Sequence, residues 1–322
     1  MPAYVLRRLL QGIPVLLIVS VIVFLALNLL PGDPVIARQG TMTGQGYEEI
    51  VKQLRHQMGL DQPLYERYLR WIGRAVRGDL GVSYITQKSV MGLIGQKLPA
   101  TLELTLVAFL IALAIALPAA ILAAARRNSW FDWAVTGFVT AGMAIPSFWL
   151  GIMLMILFSV RLGWLPAVGY EPLLRDPWAN LEHVALPATT LGLIIAAPIM
   201  RFLRSSLLEA MRQDYVTVAR AKGISESAVL ARHVVRNGLL TLVTFVGLQF
   251  GALISGAVII EWIFAWPGMG WLTVDAVFNR DYTVVQGTVT VAAAGFVAIN
   301  ILIDVLYAAL DPRVKHGALG GQ

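Results

Sequence analysis

Catalysis needs a nucleophile, a base or a metal set, and this 322-residue chain brings none of them together by spacing. Its four histidines, His56, His183, His233 and His316, are too scattered for local ligand spacing, and cysteine is absent. No Gly-x4-Gly-Lys-Ser/Thr, His-Glu-x-x-His or Gly-x-Ser-x-Gly occurs. The chain is therefore expected to be non-catalytic, with no metal and no cofactor of its own. Any energy source must come from another chain. A few polar residues interrupt apolar stretches. Asn300 and Asp304 lie one helical turn apart, and a carboxylate at that depth is expected to pair with an arginine such as Arg7 or Arg8 in preference to relaying protons. Glu103 reads as an acid at a helix N-terminus, where the dipole favours it. Gln249, Ser255 and Asn300 are candidates for lining a hydrated passage.

The longest polar interruption in the C-terminal two thirds runs from Arg201 to Arg236. There Arg201, Arg204, Arg212, Arg220, Lys222, Arg232 and Arg236 outnumber Glu209, Asp214 and Glu226. Asp214 can cap a helix, Gly223 can end it in the left-handed region, and Ser225 can cap a second helix through Ala228, Val229 and Ala231. The spacing predicts two short helices meeting at a sharp turn. Tyr215, Val218, Ala219 and Lys222 share one face of the first, with Arg220 and Ala221 beside it. Small residues there suit entry into a partner's groove, because they permit close backbone approach.

The elements that must carry these residues can be placed from composition. With 57% hydrophobic and 14% charged residues and a mean hydropathy of +0.71, the chain is no ordinary soluble domain. Its net charge of +6 flanks apolar stretches, which reads as membrane topology and not as a nucleic-acid surface. A helix needs about 20 apolar residues to cross a bilayer core. Six spans are expected, at 9–30, 99–125, 133–160, 184–204, 237–260 and 284–310. The first reads as uncleaved, since its apolar core is too long for a signal peptide and no small-x-small site comes after it. Arg7-Arg8 and Arg126-Arg127 place their ends in the cytoplasm, with both termini inside. Pro146 predicts a kink or broken turn near Ile145. Gly247, Gly251 and Gly256, with Ala252 and Ser255, form a small-residue face for close helix packing.

Outside the spans, residues 31–98 form an extracytoplasmic segment opened by Pro31-Gly32-Asp33-Pro34. Two amphipathic helices are expected in it, through Ile50, Leu54 and Met58 and through Tyr65, Tyr68, Leu69, Ile72 and Val76, stopping at Gly59 and Gly78. Residues 205–236 are cytoplasmic and 261–283 form an outer loop. In that loop Trp262, Phe264, Trp266 and Met269 read as an exposed cluster turned by Pro267-Gly268. It either packs over a passage or anchors in the membrane interface.

Asp214-Tyr215-Val216, Ala219-Arg220-Ala221-Lys222-Gly223, Arg232-His233 and Arg236-Asn237 together resemble the cytoplasmic coupling loop of ABC importer permeases. The branch they resemble is that of dipeptide, oligopeptide, glutathione and nickel importers. Gly59-Leu60-Asp61-Gln62-Pro63-Leu64, Gly78-Asp79-Leu80-Gly81-Val82-Ser83 and Leu98-Pro99-Ala100-Thr101-Leu102-Glu103-Leu104 are similar to the same branch. So are Glu261-Trp262-Ile263-Phe264-Ala265-Trp266-Pro267-Gly268-Met269-Gly270 and Arg280-Asp281-Tyr282 with Val284-Val285-Gln286-Gly287. Of the wider family's Glu-Ala-Ala only the last residue is kept, at Ala219, with Thr217 and Val218 in place of the first two, and Thr241 and Thr283 replace the branch's usual prolines.

The resemblance implies one all-α polytopic membrane domain over residues 1–322. It implies a multi-pass inner-membrane permease subunit that moves peptides or related small solutes (glutathione, a nickel chelate) from a binding protein to the cytoplasm by alternating access. The implied partners are a second homologous permease, two ATP-binding subunits carrying ATP and Mg, an extracytoplasmic solute-binding protein and the lipid bilayer, with no nucleic acid. ATPase coupling falls to Asp214, Tyr215, Thr217, Ala219, Arg220, Ala221, Lys222 and Gly223. Trp262, Phe264, Trp266, Pro267 and Met269 become an outer gate or binding-protein contact. Two competing readings remain. A secondary transporter or channel without ATPase partners calls for charged ion couplers in mid-membrane and no docking loop. A membrane enzyme calls for a nucleophile–base pair or a metal cluster.

Overall fold

The computed structural model describes residues 2–29, 49, 52, 53, 56 and 61–310. The expected break at Pro31–Pro34, the helix through Ile50, Leu54 and Met58, its stop at Gly59 and the cytoplasmic end at Asp311-Pro312-Arg313 lie outside the described residues. Among the described residues there is no strand, only one antiparallel bridge between Val82 and Ser89. The helices are α1 (Pro2–Leu29), α2 (Leu64–Ala75), α3 (Val90–Ala125), α4 (Trp130–Ala144), α5 (Ser147–Leu154) and α6 (Pro177–Ala210). They continue as α7 (Asp214–Ala221), α8 (Glu226–Val229), α9 (Arg236–Ile263), α10 (Met269–Phe278) and α11 (Tyr282–Leu310). Wider π-helical turns extend α5 over Met155–Arg161 and join α8 to α9 over Leu230–Val235.

Among the described residues, four helices are long and apolar enough to cross a membrane: Leu6–Leu29, Val90–Ala125, Pro177–Ala210 and Tyr282–Val305. The region around Pro146 is more than a kink. Ile145 is extended, α4 stops at Ala144, and the two halves meet at 107°, so they make at most one broken span. Two compact units result, one from Met1–Thr101 with Pro267–Val297, the other from Leu102–Trp266 with Ala298–Gln322.

In the first unit Leu27 of α1, Trp71 of α2, Val90 and Ile94 of α3, Leu272 of α10 and Val284 of α11 share one buried cluster. On α2 the expected period holds but the face is rotated. Tyr68 and Trp71 turn inward, Tyr68 sharing a 2.8 Å hydrogen bond with Ser20, while Tyr65, Leu69 and Val76 are exposed. The chain leaves α2 through a turn closed by Asp79 N–H to Arg74 O (3.1 Å), with Gly78 at φ +84°. Asp281 organises the loop beyond that turn. Its buried carboxylate accepts from Ser83 Oγ (2.5 Å), Tyr84 N–H (3.2 Å) and Ile85 N–H (3.4 Å), and from Val284 N–H (3.4 Å) at the start of α11. One acid thus caps a helix and pins a loop.

In the second unit α6 is the central helix: 67% of its most apolar window is buried, against 28% for α3. Asp176 accepts from Trp178 N–H and Ala179 N–H at its start, with Pro177 in the first turn. The buried side of α3 is a ladder of every fourth residue, Leu104, Ala108, Ala112, Ala116 and Ala120, while Leu102, Leu106 and Leu110 on the opposite side are exposed. A Cβ added at Gly192 would lie 2.8 Å from Ala108 O, so α6 packs against that ladder at backbone distance. Gly247 and Gly256 likewise meet Ile303 and Leu191 closely, which makes that part of the α9 stripe a helix contact. Glu103 does not begin a helix as expected. α3 starts at Val90, and the Glu103 carboxylate instead accepts from Asn180 Nδ2 (2.5 Å) and Tyr170 OH (3.2 Å).

Candidate functional site

The stretch from Gln213 to Val235 forms two short helices around a sharp turn. Gln213, not Asp214, occupies the N-cap position of α7 and makes no side-chain cap bond. Asp214 sits in the first turn, where the helix dipole favours a carboxylate. At the other end Ile224 N–H reaches Ala219 O (3.4 Å) and Gly223 N–H reaches Arg220 O (2.9 Å), with Gly223 at φ +76°. This is a Schellman cap, and it requires a residue that tolerates the left-handed region. Ser225 stands at the N-cap of α8, yet its hydroxyl faces Ser227 Oγ and caps no backbone group.

The expected face is partly corrected. Val216 and Ala219 are buried against the chain's own helices, because a surface helix this short must still bury one side. Tyr215, Thr217, Val218, Arg220, Ala221, Lys222 and Gly223 are exposed. Ala219 is therefore small for internal packing, and the outward surface runs through Tyr215, Val218 and Lys222. Arg220 bridges the turn with two bonds to Glu226, Nε–Oε2 at 3.0 Å and Nη2–Oε1 at 2.5 Å. Hydrogen bonding to Arg220 holds the Glu226 carboxyl below its ordinary value, and the same bond raises Arg220.

Behind this element lies an ion pair that sequence reasoning missed. Asp132 accepts from Arg204 at both oxygens and from Asn128 N–H (3.0 Å), while Ser129 Oγ accepts from Asp132 N–H (3.3 Å). The Ser129–Asp132 spacing was a readable capping-box signal. The arginine, 72 positions away, was not.

The outer cluster is not exposed as expected. Phe264, Trp266 and Met269 are buried, Pro267 is half-buried, and only Trp262 is open, at 42%. Trp266 stacks edge-on against Tyr170 with centroids 4.7 Å apart, and Gly169 N–H donates to Phe264 O (3.1 Å). Burial, then the Glu103 carboxylate, pushes the Tyr170 phenol above its ordinary value, so it stays a donor. Ala265 at φ +50° lets Trp266 N–H return to Glu261 O at 2.8 Å. Of the passage candidates, Gln249 on α9 and Asn300 on α11 are each half-buried, as is Asp304 one turn beyond Asn300; Ser255 lies within α9.

Residues 116–316 match the family described as binding-protein-dependent transport system inner membrane component, and residues 1–105 match the N-terminal region of such components. The chain belongs to this family. The permease is 44% identical over 317 residues to a peptide transport system permease protein of Brucella abortus (strain 2308), covering 98% of this chain and 100% of that one. It is 41% identical over 313 residues to the glutathione transport system permease protein GsiC of Escherichia coli (strain K12), covering 97% and 99%. The fold is also that of a chain of the MetNI methionine ABC transporter in inward facing conformations, with TM-score 0.59 and 18% identity over 69% of the permease and 97% of that chain. An amino acid ABC transporter chain gives TM-score 0.51 and 14% identity over 69% and 94%. The permease is a multi-pass inner-membrane subunit of an ABC importer.

Proposed function

We propose that this permease carries peptides or related small solutes, glutathione or a nickel chelate among them, from an extracytoplasmic binding protein to the cytoplasm. The two relatives that cover nearly the whole chain, for peptide and for glutathione transport, support that class. In this reading α9 is a further span, since its 28 residues at about 1.5 Å rise exceed a bilayer core. With the broken α4–α5 pair it completes six spans, both termini inside. A second, homologous permease forms the other half of the passage. Two partner subunits bind and hydrolyse ATP with Mg, and their closure drives alternating access.

The observation that carries the coupling assignment is the α7–α8 turn. Exposed Tyr215, Val218, Arg220, Ala221, Lys222 and Gly223 crown a loop whose other side, through Val216, Ala219 and Val229, is packed into the helix bundle. Force applied to such a turn passes to the spans and is not absorbed by a loose loop. The translocation path is assigned to Gln249, Ser255 and Asn300, and the binding-protein contact at the outer loop to Trp262, the open member of the cluster with Phe264, Trp266 and Met269. Co-purification of the tagged permease with its ATPases tests the reading, using Gly223→Asp and Val218→Asp beside wild type. Loss of ATPases with the second permease retained is expected; stoichiometric ATPases and full uptake in both variants would remove α7 from the coupling role.

A further inference from the structure

The first unit contains a cavity of about 470 Å³ bordered by α1, α2, the Tyr84 loop and the start of α11, a volume that suits a small organic ligand. Three arginines one turn apart on α2, Arg67, Arg70 and Arg74, line it, and among the described residues no acid does. The nearby carboxylates are already engaged, one of them by an arginine of this row. Glu66 pairs with Arg70 at 3.5 Å, and Asp281 is saturated by Ser83, Tyr84, Ile85 and Val284. Among the described residues no carboxylate pairs with Arg67 or Arg74. Two further lining side chains carry buried donors without an acceptor: Trp71 Nε1, on a residue 6% exposed, and Gln286 Nε2, on one 7% exposed. Unpaired buried donors are uncommon and mark a wall that lacks an acceptor. Both nitrogens are covered in this conformation, so the arginines are the first contacts and the two N–H groups a second rank reached by side-chain rotation.

We propose that this cavity is an extracytoplasmic binding site for the carboxylate of a small organic solute. Arginine supplies a planar two-point match to a carboxylate, and the aromatic walls of Phe24 and Tyr84 suit an organic body better than a bare ion. Burial lowers Arg67 from its ordinary value, and its guanidinium stands 5.8 Å over the Phe24 ring. A partly desolvated cation of this kind gains most from an anion beside it. The inference deepens the proposed import of peptides and glutathione, and rests on it for the identity of the solute.

The test uses the assembled importer in nanodiscs without its binding protein, and radiolabelled glutathione as probe. Saturable binding is expected, weakened about tenfold or more by Arg67→Gln or Arg74→Gln, the loss expected from removing a charged hydrogen-bond partner. Trp71→Phe, which keeps the ring and removes the N–H, is expected to weaken it less. A glutathione analogue with both carboxylates amidated is expected to compete poorly. Arginine variants that melt as wild type does and bind the probe equally would overturn the site, as would equal competition by the amidated analogue. Nanodiscs of phosphatidylglycerol in place of phosphatidylcholine separate the remaining source. Competitive displacement of the probe by the anionic lipid would assign the cavity to a lipid phosphate and overturn the solute proposal. Uptake into vesicles with binding protein present is scored separately: intact peptide uptake without probe binding at this cavity sinks only this inference, whereas carboxylate binding without any peptide uptake sinks the import reading.

Discussion

Asp132 and Arg204 meet in a two-point ion pair, Nε to Oδ1 at 2.6 Å and Nη2 to Oδ2 at 2.8 Å, with the aspartate 4% exposed. The pair fastens the start of α4 to the part of α6 that leads into the α7–α8 turn. Removing the arginine strands the buried Asp132 carboxylate, so Arg204→Ala should destabilise the permease by about 3 kcal/mol, whereas Asp132→Ala leaves a partly exposed Arg204 that can turn to water and should cost less. Arg204→Lys loses the two-point match and should cost less. Thermal unfolding of the single variants and of Asp132→Ala/Arg204→Ala in detergent checks this. The double variant should be more stable than the two single losses added together predict, because neither charge is then left alone.

The Arg220–Glu226 bridge should make the α7–α8 turn sensitive to acid. Glu226 has its folded value held below its ordinary one, so its contribution is fully present above the unfolded glutamate range and is lost as pH falls through the lowered folded value. Amide protection factors at Gly223 and Ile224 should therefore fall on acidification in wild type. In Glu226→Gln they should start lower and change less. Both side chains are open to water, so high salt should narrow the difference. Identical protection profiles in the two proteins would show that the bridge contributes nothing to the turn.

The features legible in the sequence were those that depend on nearby residues. Gly223 could be placed because only a short list of residues ends a helix in the left-handed region, and Pro146 because it removes a ladder bond whatever surrounds it. The buried ladder of Ala108, Ala112, Ala116 and Ala120 was open to the same periodic reading that found the α9 glycines, and was overlooked. Other features depend on residues far apart. The role of Asp281 as shared acceptor for Ser83, Tyr84 and Ile85 comes from chain nearly two hundred positions earlier, which no local period encodes. The same holds for Glu103, which looked like a helix-end acid and instead receives Asn180 and Tyr170. The outer aromatics misled for a different reason. Tryptophan is as common at a membrane interface as in a core, and composition alone cannot choose between them.

Trp266 gives a test of that choice. Fully buried and edge-on to Tyr170, it should behave as a core residue: Trp266→Ala should destabilise by about 3–5 kcal/mol. Trp266→Phe, which keeps an aromatic against Tyr170, should lose much less. Trp262→Ala, at an open position, should leave the unfolding temperature close to wild type and lower binding-protein-stimulated ATPase activity. A normal melting temperature for Trp266→Ala with uncoupled ATPase activity would instead make Trp266 a gate.

Gly223 separates backbone need from space. Its φ of +76° lies in the left-handed region, and a Cβ added there meets nothing within 4 Å. Steric crowding inside this chain therefore plays no part, and the cost of a side chain is conformational. Gly223→Ala should weaken the turn by about 1–2 kcal/mol. Gly223→Asn, larger but more tolerant of that region, should weaken it less. Protection of the Ile224 amide, which closes the cap onto Ala219 O, should follow the order Gly, Asn, Ala. ATPase co-purification should follow that same order if the shape of the turn is what the partner reads. If it falls with side-chain size instead, Asn below Ala, the partner's groove must close directly over Gly223, and the glycine is there for clearance as well as for its backbone.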